Sequence, residues 1–228
     1  MIITSPHNEK LKEVRRLQRR RDGRFVAEGE DLLAAADEAG WAPLERFAAA
    51  GSGLAGTEVE PDVLAKVSSL GSGSRTLAVY EERWAPRPTG PLCVALWGVR
   101  DPGNVGTVLR SALAFGAASV ALGPTCADPY GPKAVRASMG AVFAVPMARV
   151  DGVAELPGDR IALVARAGEP LRDTPRGGET TVVVGAEREG LPDEVVEGCD
   201  RTAHIPIATE SLNAAMAATV ALYELTRA

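Results

Sequence analysis

Aromatic side chains make up only 4% of the 228 residues, and histidine occurs twice, at His7 and His204. With two histidines and no paired ligand spacing, a zinc site is excluded, and no metal is expected. The three cysteines, Cys93, Cys126 and Cys199, are far apart and form no CxxC pair, so neither a disulfide framework nor a thioredoxin-like motif is present. No apolar run reaches 18 residues, which excludes a membrane-spanning helix. The opening MIITSPHNEKLKEV lacks the apolar segment of a signal peptide. A cytoplasmic protein with reduced thiols is the expectation.

What is present suits a soluble globular chain: 46% hydrophobic and 24% charged residues, enough to bury a substantial core. The net charge of −5 hides an asymmetry. Residues 1–25 hold eight Lys or Arg against three acids, which gives +5 and leaves −10 for the other 203 residues. Leu11, Val14 and Leu17 recur at helical spacing, with Arg15, Arg16, Arg19 and Arg20 around the rest of the circumference. A basic end on an acidic body suggests an anion-binding surface. The alternative is a solvated helix face.

The chain divides by composition. Residues 1–83 read as a small α/β unit, with a strand at 24–29, a helix at 30–39, an ambiguous LERFAAA at 44–50, a strand at 75–82, and loops at 51–56 and 68–74. WAPRPTGP at 84–91 has three prolines and reads as a semi-rigid linker. From residue 92 the apolar runs hardly alternate: LCVALW (92–97), SVAL (119–122), VFAVPM (142–147), RIALVA (160–165), TTVVVG (180–185) and AHIPI (203–207). Buried strands alternating with helices predict a mostly parallel sheet covered on both faces, with ligands at the carboxyl ends of its strands.

Three loops follow three of these strands. In GVRDPGNVGTVLRSALAFGA (98–117), Asn104 is a fitting helix N-cap, and Gly106 with Arg110 share a helix side, the glycine leaving room for a ligand. The glycines do not make GxGxxG and SVAL lacks a following acid, which argues against a nicotinamide fold. In VVVGAEREGLPDE (182–194), Gly185 allows close backbone approach, Glu187 offers a carboxylate, and Pro192 opens a helix. In IPIATESLNAAMAATVALYEL (205–225), Ser211 or Thr209 is the expected cap of a final helix that opens on Ser211-Leu212-Asn213. That helix is apolar on two sides. One stripe is Leu212, Met216, Thr219 and Tyr223; the other, Ala214, Ala217, Ala218 and Ala221, is small enough for a partner subunit to pack closely. An intramolecular helix neighbour is the alternative.

N-x-G-x-x-x-R-x-A-x-x-F-G at 104–116, G-x-E-x-x-G-L at 185–191 and I-P-I…S-L-N at 205–213 together resemble the three motifs of the SpoU (TrmH-like) RNA ribose 2′-O-methyltransferases, and Lys133-Ala-Val-Arg-Ala-Ser-Met-Gly140 resembles the segment between the first two. The resemblance covers residues 92–228, while the part before it looks like a fused substrate-binding domain. It implies a SPOUT-type α/β fold with a C-terminal trefoil knot, which no periodicity suggests, knots being nearly absent from proteins. It implies a homodimer, S-adenosylmethionine as cofactor, and RNA as partner, ribosomal ahead of transfer RNA. Carried over by motif, Gly185, Ala186, Glu187, Gly190, Ile205, Ile207 and Leu212 would hold the cofactor. Arg110, Asn104, Glu187, Ser211 and Asn213 would line the reaction centre. Arg15, Arg16, Arg19, Arg20, Arg24 and Arg136 would meet the RNA. A guanidinium with a pKa above about 12 is a poor base, so Arg110 is assigned to gripping phosphate and stabilising a developing alkoxide. One departure stands out: only Ala208-Thr209-Glu210 joins Ile207 to Ser211, with no glycine in the join. That shortening keeps open a non-catalytic RNA-binding factor on the same fold.

Overall fold

A computed structural model describes residues 2–70, 73–174 and 178–227. Gly71 and Ser72, inside the loop expected at 68–74, lie outside the described residues. The first helix, α1 (Glu9–Arg19), is capped by Asn8, whose side chain accepts from the Lys10 amide at 3.0 Å. It buries Leu11, Val14 and Leu17 as their spacing requires. There follow β1 (Arg24–Glu28), α2 (Glu30–Glu38), β2 (Glu45–Ala49), β3 (Thr57–Val59), α3 (Pro61–Ala65) and β4 (Thr76–Glu81). The ambiguous LERFAAA is therefore a strand. Among the described residues these strands form a sheet in the order β1-β4-β2-β3, antiparallel except for β2–β3.

Period-two alternation decides what each face meets. Val26, Leu77 and Val79 pack with Leu11, Val14, Leu17, Val63 and Leu64 from α1 and α3. Phe25, Ala27, Ala78 and Tyr80 point the other way, into a core shared with the second half of the chain. There Phe25, Trp41, Tyr80, Tyr130 and Phe143 form one aromatic cluster, with ring centroids 4.7 to 6.4 Å apart. The Trp41 indole donates to the Phe143 carbonyl at 2.8 Å, and Arg21 pairs with Asp128. Segment 84–91 is held against the second half: the Ala85 amide donates to the Met147 carbonyl at 2.7 Å, and the Thr89 amide to Ser119 Oγ at 2.8 Å.

The second half runs β5 (Leu92–Leu96), α4 (Pro102–Ala114), β6 (Ser119–Leu122), α5 (Pro132–Ala137), α6 (Ala141–Ala144), β7 (Met147–Arg149), β8 (Asp159–Leu163), β9 (Glu169–Pro170), β10 (Thr180–Val184), α7 (Asp193–Glu197), β11 (Arg201–His204) and α8 (Ala214–Thr226). VFAVPM, expected as one strand, divides. Left-handed Gly140 opens the short α6, which buries Phe143, and the strand starts only after Pro146, which has no amide to give a ladder. The sheet order is β7-β6-β5-β10-β8-β11-β9, and every pairing is parallel. β5 is buried along its whole length, which is why its sequence does not alternate. Because the strands run one way, the loops after β5, β8, β10 and β11 all leave from one edge. β10 lies between β5 and β8, so the chain comes back to the middle of the sheet late.

Candidate active site

Each of the three loops is fixed by its own backbone chemistry. After β5, Asp101 caps α4, accepting the Asn104 amide at 3.0 Å on Oδ1, with Pro102 at the first helical position. This corrects the expectation that Asn104 is the cap: Asp-Pro three residues earlier does that work, and the Asn104 side chain is released. After β10, the Ala186 and Gly190 backbones exchange hydrogen bonds of 3.2 and 3.0 Å. Gly185 is required because an added Cβ would collide with the Gly190 carbonyl group. The close approach at Gly185 is thus to the chain's own backbone, and it sets the loop that carries Glu187 and Glu189. After β11, the final helix starts at Ala214 and not at Ser211. Its cap is Asn213, whose Oδ1 accepts the Ala215 and Met216 amides at 3.0 and 3.3 Å, in place of the expected Ser211 or Thr209.

These fixed points bring three predicted side chains into one chain of hydrogen bonds. Asn213 Nδ2 donates to Asn104 Oδ1 at 3.1 Å, and Asn104 Nδ2 donates to Glu187 Oε1. The carbonyl of Asn213 is committed to its helix, so its amide can only point one way. Asn104 then has its carbonyl filled and must donate to the carboxylate. Glu187 keeps its second oxygen for something else.

Two clefts meet at this chain. One, of about 590 Å³, is walled by Leu163, Val164 and Ala165 after β8, by loop 184–191, by Ile205 and Ile207, and by Glu210–Leu212 with Ala214 and Ala217. All the predicted cofactor residues, Gly185, Ala186, Glu187, Gly190, Ile205, Ile207 and Leu212, line it, as does Ser211. The other, of about 500 Å³, holds Asn104, Glu187 and Asn213 with Gly98, Arg100 and Asp101. Residues 186–189 are common to both and form the wall between them. The β8 end carries no site signal in the sequence beyond the RIALVA run, because its closing residues are apolar. Arg100 and Arg188 carry none either, since a lone exposed arginine in a loop has no pattern to betray it.

The remaining predicted residues lie elsewhere. Arg110 is exposed on the outer side of α4 and lines neither cleft of its own chain. Gly106 does not make room for a ligand: a Cβ there would strike the Ala134 carbonyl and the Ala137 side chain, so the space is taken by α5. Arg136 is exposed on α5. Arg15 donates to the Pro6 carbonyl at 3.0 Å, and Arg16 and Arg24 share Glu13 and Asp22. The side chains of Arg19 and Arg20 are exposed and unpaired among the described residues. The stripes of the last helix are also reassigned. Ala214, Ala218 and Ala221 are buried within the chain, where α8 packs on α4 and Thr219 hydrogen-bonds Ser111 at 2.6 Å. The contact to α4 is made through Thr219, while Ala214 and Ala217 border the larger cleft, and it is Met216 and Tyr223, with Leu113 of α4, that are exposed.

Among the described residues no cluster of His, Cys, Asp and Glu could hold a metal ion, and no helix is long and apolar enough to cross a membrane. Burial pushes all three thiols up, Cys199 to about 11, so none is a ready nucleophile.

The chain has relatives throughout its length. A family model described as the SpoU rRNA methylase family matches residues 91–223. A Synechocystis protein described as an uncharacterized tRNA/rRNA methyltransferase is 31% identical over 255 residues, covering 99% of this chain and 93% of that one. The 23S rRNA (guanosine(2553)-2′-O)-methyltransferase RlmP of Bacillus subtilis is 27% identical over 243 residues, with 98% of each chain covered. The crystal structure of an AdoMet-bound rRNA methyltransferase from Sinorhizobium meliloti matches with a TM-score of 0.88 and 29% identity, over 99% of this chain and 97% of the other.

Proposed function

That this chain belongs to the SpoU rRNA methylase family is the premise from which we propose its reaction: methylation of a ribose 2′-hydroxyl in ribosomal RNA, with S-adenosylmethionine as donor. The observation that carries this reading is the Asn213–Asn104–Glu187 chain at the wall between two clefts. The larger cleft fits the cofactor. Its volume of about 590 Å³ is that of a small-molecule site, with Leu163, Ile205, Ile207 and Leu212 for an apolar body and Glu187 and Glu210 for cationic groups. When bound, the cofactor supplies an electrophilic methyl group on a sulfonium. The smaller cleft then takes the ribose.

The protein's own part is alignment and proton removal. Asn104, held by Asn213, orients the Glu187 carboxylate, and the oxygen left over accepts the proton of the 2′-hydroxyl. Ser211, at the lip of the larger cleft, supplies a further hydroxyl for substrate or cofactor. RNA reaches the site past the exposed, unpaired Arg19 and Arg20 and past Arg136.

We further infer a two-fold dimer through the exposed Met216, Tyr223 and Leu113, with Phe115 stacked edge-on against Tyr223 at 6.1 Å. Arg110, one turn of helix from Leu113, belongs to this face and serves the second copy's cleft, where it stabilises the developing alkoxide. The late placement of β10 between β5 and β8 is in keeping with a chain whose C-terminal segment threads a knot.

The test is methyl transfer from labelled S-adenosylmethionine to in vitro-transcribed 16S and 23S rRNA and to transfer RNA, with the product mapped by mass spectrometry. A 2′-O-methyl nucleotide in ribosomal RNA is expected, and Glu187→Gln lowers kcat by roughly 10²–10⁴. Methylation of a base, or cofactor binding without transfer to any RNA, refutes the reading.

A further inference from the structure

Within one chain the ribose cleft is short of positive charge for the substrate proposed above, the Arg110 of a second copy being assigned to the alkoxide. A ribose inside an RNA chain carries a phosphodiester on each side, both close to its 2′-oxygen. Two basic side chains line the cleft that holds Asn104, Glu187 and Asn213: Arg100 and Arg188. Arg188 also lines the cofactor cleft, on the other side of the dividing wall. Lys133, nearby, is already held by Asp101 at 2.7 Å. Arg110 is on the outer face of its helix.

Arg100 sits differently. It lines the ribose cleft and also a third one of about 720 Å³, which runs past Trp97, Thr125 and Asp151 at the carboxyl ends of β5, β6 and β7. It therefore marks the junction that an RNA strand would cross on leaving the ribose. Its backbone is fixed on both sides. Gly98 before it has φ +69 and donates to the Pro124 carbonyl at 3.3 Å, and Asp101 after it is locked as the cap of α4. Its head group is not fixed. Among the described residues its ion-pair partner is Glu189, 3.6 Å away, and the two side chains are 67% and 69% exposed. So exposed a pair is solvent-screened and weak, and a phosphate displaces the carboxylate at little cost. A phosphate also offers the guanidinium two parallel hydrogen bonds.

We infer that Arg100 grips the phosphodiester next to the target ribose, and that Glu189 occupies the guanidinium until RNA arrives. This rests on the methyltransferase reading. Glu189 lines the same two clefts as Arg100, so the exchange takes place at the junction itself.

The experiment measures equilibrium binding of in vitro-transcribed 23S rRNA to the full-length protein across a salt series, without cofactor. Arg100→Ala weakens binding about tenfold and reduces the slope of log affinity against log salt by about 0.7–0.9, one phosphate contact. Arg100→Lys keeps the slope and recovers part of the affinity. Glu189→Gln tightens binding a few-fold at low salt, and the gain disappears in the Arg100→Ala background. In turnover, Arg100→Ala raises KM for RNA by a larger factor than it lowers kcat, and leaves cofactor affinity near wild type. Wild-type RNA affinity and slope in Arg100→Ala overturn the inference, as does a Glu189→Gln gain that survives without Arg100. Failure of the methyltransferase reading shows separately, as absence of methyl incorporation by the wild-type protein.

Discussion

Asn213 has two tasks, and its two amide atoms divide them. The carbonyl oxygen caps α8 and the amide nitrogen holds Asn104. The tasks can be separated by substitution. Asn213→Ser keeps a good cap, so stability should stay within about 0.5 kcal/mol of wild type, while kcat falls because Asn104 and Glu187 lose their orientation. Asn213→Ala should lose kcat and also about 1 kcal/mol of stability. Thermal melts and single-turnover rates check both, and a Ser variant with full activity would remove Asn213 from the orienting chain. At this scale the sequence was legible in membership and not in role. Asn104, Glu187 and Asn213 were readable as a set. That Asp101 caps α4, and that Asn213 caps α8, turned on where each helix begins, and boundaries depend on tertiary contacts that periodicity does not carry.

Elements show the same division between pattern and contact. The continuous apolar runs foretold buried parallel strands, since a strand covered on both faces has no polar side to alternate. VFAVPM had the composition of such a strand, but Gly140 precedes it, Pro146 interrupts it and Phe143 is wanted by the aromatic cluster, so half became helix. The stripe of alanines on α8 was legible as a close-packing face, but composition does not say what it meets: Ala214, Ala218 and Ala221 are buried within the chain, and Ala214 and Ala217 border the larger cleft. β8 and β11 show what holds adjacent strands in register at their polar ends. Arg160 grips Asp200 with bonds of 2.7 and 2.9 Å, and Arg201 reaches Asp159 at 2.7 Å. The Arg160 side chain and backbone hold the Asp200 carboxyl well below the usual range, at about 2. A depressed carboxylate stabilises the fold above its unfolded pKa and loses that contribution as pH falls through its folded value. Asp200→Asn should therefore cost at most about 1 kcal/mol at neutral pH, the pair being solvent-screened. The gap from wild type should close between pH 4 and pH 2, and denaturant titrations at several pH values measure it. A gap that widens on acidification would contradict the assignment.

For the molecule as a whole, the proposed dimer makes a prediction that no single chain can satisfy. If Arg110 serves the second copy, a mixture of Arg110→Ala and Glu187→Ala chains, each inactive alone, should recover about a quarter of wild-type activity, because half the dimers are mixed and each has one complete site. No recovery after verified exchange would place Arg110 in its own chain's cleft. Met216→Glu with Tyr223→Asp should reduce the solution mass to the single chain's 23.8 kDa and abolish activity. The sequence could suggest a partner from an apolar last helix. It could not show which side was left bare until the chain had folded and covered the other.

The aromatic cluster bears on reach. Phe25, Trp41 and Tyr80 come from the first half of the chain, Tyr130 and Phe143 from the second, and together they make one core. The basic helix is therefore no arm on a tether. It stands at a set span from Glu187, like one jaw of a caliper, and if it meets RNA as proposed, a substrate qualifies by matching that span. Selectivity can then reside in the geometry of a folded RNA, measured between two anchored points, without any base being read.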